Sequence, residues 1–97
     1  MSGFNDVKEK NLEILEQYVP IVARVHGGTH PEFLEVRKLF DLMNAKIKEA
    51  GTKKPKIDDE FKRLREVTNN YRVPSDTCES YEAVYKMLAE LDEAYQS

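Results

Sequence analysis

The sequence predicts an all-α fold, an antiparallel four-helix bundle formed by one domain over residues 1–97. Three observations point there. Apolar residues recur at three- and four-residue steps in four separate stretches. Short segments bearing Gly, Pro or Asn divide these stretches, as helix ends require. No stretch reads convincingly as a strand. Four amphipathic helices with short connections pack as neighbours that run up and down.

The first helix is expected from about Asn5 to Val25, with Val7, Leu12, Ile14, Leu15, Val19, Val22 and Val25 apolar. Pro20 lies inside it. Its nitrogen cannot donate to the carbonyl four residues back, so a kink or a break is expected there. The second helix has the clearest pattern, with Phe33, Val36, Phe40, Met43, Ile47 and Ala50 on one stripe and Leu39 and Leu42 widening it. It should be the most buried helix, and Gly51 is its natural stop.

The polar linker Thr52–Lys56 carries Lys53, Lys54 and Pro55. The third helix follows, with Ile57, Phe61, Leu64 and Val67 inward. Asp58, Asp59 and Glu60 in its first turn suit the positive end of the helix dipole. Asn69-Asn70 is its stop. Asp76 with Glu79 three residues on reads as a capping box that opens the fourth helix. That helix places Cys78, Tyr81, Val84, Tyr85, Leu88, Leu91 and Tyr95 on one side.

Both histidines fall in the stretch Arg24-Val25-His26-Gly27-Gly28-Thr29-His30-Pro31-Glu32. A His-x-x-x-His pair on one helix can offer two imidazoles to one ion. Here two glycines intervene, and Thr29 with Glu32 reads as a second capping box. The stretch is therefore expected to be a turn, with His26 closing one helix and satisfied by turn carbonyls. His30 opens the next helix at the surface.

Composition bounds the function. The chain has 97 residues, 34% of them charged, and a net charge of −3, which gives no electrostatic case for nucleic acid. No apolar run approaches a membrane span, and no leader-like segment follows Met1, so neither a membrane nor secretion is expected. The single cysteine, Cys78, excludes an internal disulfide framework and suits a reducing cytoplasm. On the apolar stripe it is expected to be a buried, inert thiol. Lys46 to Arg65 holds eight basic residues against four acidic, and Asp76 to Ser97 one basic against six acidic. These segments of opposite sign could attract within a chain or between two.

Two stretches carry a family resemblance: Arg24-Val25-His26-Gly27 with His30-Pro31-Glu32, Glu35-Val36 and Leu39-Phe40, and Thr68-Asn69-Asn70-Tyr71 with Pro74, Asp76, Cys78, Tyr81, Tyr85, Leu88 and Leu91. In this order they resemble the hemerythrin-like domain of the iron–sulfur cluster repair di-iron proteins, of ScdA/YtfE type, over Phe4 to Ser97. The resemblance implies a four-helix bundle. In that family, histidines from all four helices and two bridging glutamates hold a di-iron centre that supports cluster repair under oxidative or nitrosative stress.

The ligands themselves do not carry over. The first-helix histidine position falls on Asn5, and the second-helix His-x-x-x-Glu pair falls on Ala50 and Lys54. Counting back from Thr68-Asn69-Asn70-Tyr71 for the third-helix histidine reaches Lys54 again. The fourth-helix pair would follow Tyr95, beyond Ser97. All these points are expected at one end of the bundle. His26, about 20 residues and so ~30 Å along a helix from Asn5, belongs to the other end.

Two readings follow. In the first the chain is a degenerate, shortened hemerythrin-like module without catalytic residues, metal or cofactor. It acts through a protein partner or as a homo-oligomer, because apolar ends such as Ile47, Ala50 and Ile57 are left poorly covered. In the alternative, a site assembled across a dimer from His26, His30, Glu49 and Asp58 binds iron and serves cluster repair or the stress response.

Overall fold

A computed structural model describes residues 3–96. The fourth-helix ligand pair implied by the family resemblance lies outside the described residues. The chain forms α1 Phe4–His26, α2 Glu32–Ala50, α3 Asp58–Val67 and α4 Glu79–Gln96, an all-α fold. Among the described residues there is no strand. No helix is long and apolar enough to cross a membrane.

α1 runs without interruption through Pro20, so the break allowed for there does not occur. The physical reason is that Val19 on one side and Val22 and Ala23 on the other are all buried in the same core. That packing holds both halves of the helix despite the missing hydrogen bond. α2 buries Phe33, Val36, Leu39, Phe40, Met43 and Ile47. α3 adds Phe61 and Leu64, and α4 adds Tyr81, Val84, Tyr85, Leu88 and Leu91. Each of these large side chains contributes about 1.5–3 kcal/mol by leaving water.

Named contacts give the relative placement of the helices. Phe4 meets Tyr95 with ring centroids 5.6 Å apart, while His26 meets Tyr81 at 5.5 Å. The start of α1 thus lies beside the end of α4, and its end beside the start of α4. Lys46 pairs with Glu60 and Arg63 with Glu35, which joins the late part of α2 to the first turn of α3 and the early part of α2 to its second half. The Asn44 amide donates to Glu16 at 2.9 Å and ties α2 to α1.

The chain ends of the helices use local chemistry. Gly51 closes α2 with φ 63°, a left-handed conformation that glycine adopts without a Cβ penalty. After α3, Asn69, Asn70 and Tyr71 take φ of 55°, 60° and 62° in succession. Asparagine tolerates this region, whereas a tyrosine there is strained. The turn is held by the Thr68 hydroxyl, which accepts from the Tyr71 N–H at 2.8 Å, and by the Tyr71 hydroxyl, which donates to buried Asp92 at 2.7 Å. Burial, reinforced by the Asp92 carboxylate, pushes the Tyr71 phenol well above its ordinary value. Arg65 also reaches Asp92, at 3.6 Å, and there the basic middle segment and the acidic last segment meet.

Several expectations are corrected. Ile47 and Ile57 are fully covered rather than left bare. The reason is a cap over that end: the Ile57 N–H donates to the Tyr95 hydroxyl at 3.1 Å, and that hydroxyl faces the Pro55 carbonyl and the Asp58 carboxylate, each at 2.9 Å. Leu42, expected to widen the buried stripe of α2, is exposed, as are Ile14 and Val25 among the apolar residues of α1, because each helix buries only one edge of its apolar surface. Cys78 is exposed rather than buried, because α4 begins at Glu79, one residue after it. Neither capping box forms as expected. The residue capping α2 is Pro31, and the Thr29 hydroxyl donates back to the His26 carbonyl at 3.3 Å. Ahead of α4, the Cys78 carbonyl accepts from the Glu82 N–H at 3.2 Å, and Asp76 turns away towards His30.

Candidate functional site at the histidine end of the bundle

The α1–α2 turn is tight. A side chain at Gly27 would begin 2.4 Å from the Ala23 carbonyl and 2.8 Å from Leu34 Cδ2, so only glycine fits there. The His30 N–H donates to the His26 carbonyl at 2.7 Å. This closure brings the two imidazoles together with ring centroids 6.4 Å apart, although they stand on different elements. Tyr81, in the first turn of α4, lies edge to face under both, at 5.5 Å from His26 and 5.6 Å from His30.

The loop before α4 completes the cluster. His26 Nε2 lies 3.1 Å from Cys78 Sγ. His30 Nε2 lies 3.1 Å from Asp76 Oδ1, and its Nδ1 lies 3.3 Å from Glu32 Oε2. These contacts correct two expectations, since His26 is satisfied by a thiol rather than by turn carbonyls, and His30 has a largely buried ring, 14% exposed, held between two carboxylates.

The chemistry available is specific. An imidazole nitrogen in hydrogen-bond reach of a thiol can take its proton and leave the more nucleophilic thiolate. His30 faces carboxylate oxygens through both ring nitrogens. A neutral ring has one N–H, so only the cation donates to both partners. Below them the Tyr81 and Tyr85 hydroxyls lie 3.0 Å apart. Burial pushes both phenols up from their ordinary value, and nearby Glu32 adds to it.

His26 and His30 therefore come together, but Glu49 and Asp58 do not join them. Glu49 is exposed near the end of α2, and Asp58 accepts from the Tyr95 hydroxyl at the opposite end. Among the described residues no three His, Cys, Asp or Glu side chains form a group able to hold a metal ion. The positions that would carry the family's irons cluster at that opposite end. There the Asn5 amide donates to the Thr52 carbonyl at 3.1 Å, and the Lys54 ammonium sits 4.5 Å over the Tyr95 ring. An amide, an alanine and an ammonium do not fit a di-iron centre.

Glu32, Asp76, Cys78 and Tyr81 are members of the cluster that their sequence positions concealed. Asp76 reads as a cap, and Cys78 and Tyr81 read as parts of an apolar stripe. The one signal for them is that Asp76 and Cys78 stand two residues apart just before a helix, where side chains turn to their neighbours.

Fold and site together define a small four-helix domain with a His–Cys–carboxylate cluster at one end. No family model, no curated protein and no solved structure matches the chain.

Proposed function

We propose that this chain is a shortened hemerythrin-like helical module of the cytoplasm, related to the cluster-repair proteins, that works without catalysis by associating with another chain. One observation carries the association: large apolar side chains remain uncovered outside the core, Ile14, Ile21 and Val25 on α1 and Leu34 and Leu42 on α2, each between 41% and 62% exposed. Uncovered apolar surface of this kind marks protein contact sites. The non-metal character is supported by Asn5 and Lys54, which fill the family's ligand positions with groups engaged elsewhere.

The experiment is sedimentation velocity over a wide concentration range, with iron analysis of the same freshly purified protein. A mass that rises with concentration and no bound iron is the expected result. Stoichiometric iron would replace this reading with that of an iron site shared across a dimer, since only a second chain can bring Glu49 and Asp58 to His26 and His30.

A further inference from the structure

We infer that α1 is the surface on which two copies of this chain associate, as an antiparallel pair of α1 helices about a two-fold axis between Val19 and Pro20. This rests on the association reading and names its surface and its partner.

The first observation is spacing. Ile14, Tyr18, Ile21 and Val25 follow one another by four, three and four residues. This is the seam that packs one helix against another in a coiled coil. The core covers only its edge: Ile14, Ile21 and Val25 are 41%, 48% and 62% exposed, and Tyr18 is half-buried. The other uncovered apolar residues form no such seam. Leu34 and Leu42 add apolar area, but Arg37, Lys38 and Asp41 stand between and beside them, so they make no continuous seam.

The second observation is charge, and it selects a second copy and its direction. Glu13 and Arg24 are exposed on the same flank of the seam, and neither takes part in an ion pair among the described residues. In the antiparallel register Ile14 packs on the partner's Val25 and Tyr18 on the partner's Ile21, each twice by symmetry. Arg24 then stands ~3 Å along the axis from the level of the partner's Glu13, within reach of its long side chain. A parallel two-fold pair would put this flank of the two helices on opposite sides of the seam, so neither Glu13 nor Arg24 would meet its counter-charge. Opposite charges beside an apolar seam fix direction in this way. The contact closes on itself, so it stops at the dimer. It is small for a protein interface, so the dimer forms only as concentration rises.

The test is a charge exchange read by sedimentation velocity, with helical circular dichroism to verify folding. Arg24→Glu places like charges together twice and weakens the dimer by about tenfold. The double variant Glu13→Arg/Arg24→Glu restores it. Ile21→Glu abolishes dimerisation, and Leu42→Glu leaves it unchanged. On a Cys78→Ser background, Ile14→Cys/Val25→Cys oxidises to a covalent dimer, since the two positions are too far apart on one helix to bridge within a chain. Dissociation by Leu42→Glu with Ile21→Glu still dimeric would overturn the inference while self-association stands. A protein monomeric at every concentration would overturn both the inference and self-association.

Discussion

The imidazole of His30 lies 3.1 Å from the carboxylate of Asp76, so the α1–α2 turn and the loop before α4 are fastened across 46 residues of sequence. The same ring faces Glu32 on its other side. A double-mutant cycle of His30→Gln and Asp76→Asn should give a coupling of about 0.5–1 kcal/mol, because Asp76 is largely exposed. The cation alone donates to both carboxylates. A coupling of zero within error would count against the bridge.

Cys78 is exposed and has His26 as its hydrogen-bond partner. Alkylation of the native protein by iodoacetamide near neutral pH should slow severalfold in His26→Gln, which cannot accept the thiol proton as an imidazole does. Rates measured in denaturant should be the same for both proteins. A native rate that is indifferent to His26 would mean that the contact does not activate the thiol.

Tyr95→Phe removes the oxygen that accepts from the Ile57 N–H, together with the one proton it offers to the Pro55 carbonyl or the Asp58 carboxylate. Ile57 is fully buried, so its N–H cannot turn to water. The expected loss is about 2 kcal/mol in urea unfolding, with an unchanged m value. A loss within experimental error would show that the cap is dispensable.

Acid should loosen the helix-to-helix ion pairs. The hydrogen bond from Lys48, then that from Asn44, holds the Glu16 carboxyl below its ordinary value of 4.5, and the Arg63 hydrogen bond does the same for Glu35. A carboxyl with a lower value in the folded state binds fewer protons there than in the unfolded chain. Its stabilisation is complete above pH ~4.5 and is lost as pH falls through the folded value. The melting temperature should decline below that point, and Lys48→Met/Arg63→Met should flatten the decline. Both carboxyls are partly exposed, so the effect is modest.

The helices were legible in the sequence because their ends are written in local chemistry: Gly51 and Asn69-Asn70 stop them within a residue or two of where periodicity fails. Which edge of a stripe is covered was not legible. Ile14 and Leu15 are neighbours and equally apolar, yet Leu15 is fully buried and Ile14 exposed. That difference depends on where α2 and α4 lie, which no local pattern records. Cys78 shows the same limit at a boundary. Three residues before Tyr81 it belongs to the buried stripe by spacing, but the helix starts after it, so its direction is set by the loop. The pairing of His30 with Asp76 is farther still from local pattern, because it needs the folded end of the bundle to exist.

Tyr81 supports both imidazoles from one ring, itself fixed by its hydroxyl contact with Tyr85 and its packing on Phe33. The two histidines are thus joined mechanically as well as by sequence. A modification of the thiol that displaced the His26 ring would press on a plate that His30 also rests upon, and the displacement would be felt at Asp76 without any rearrangement of the backbone between them.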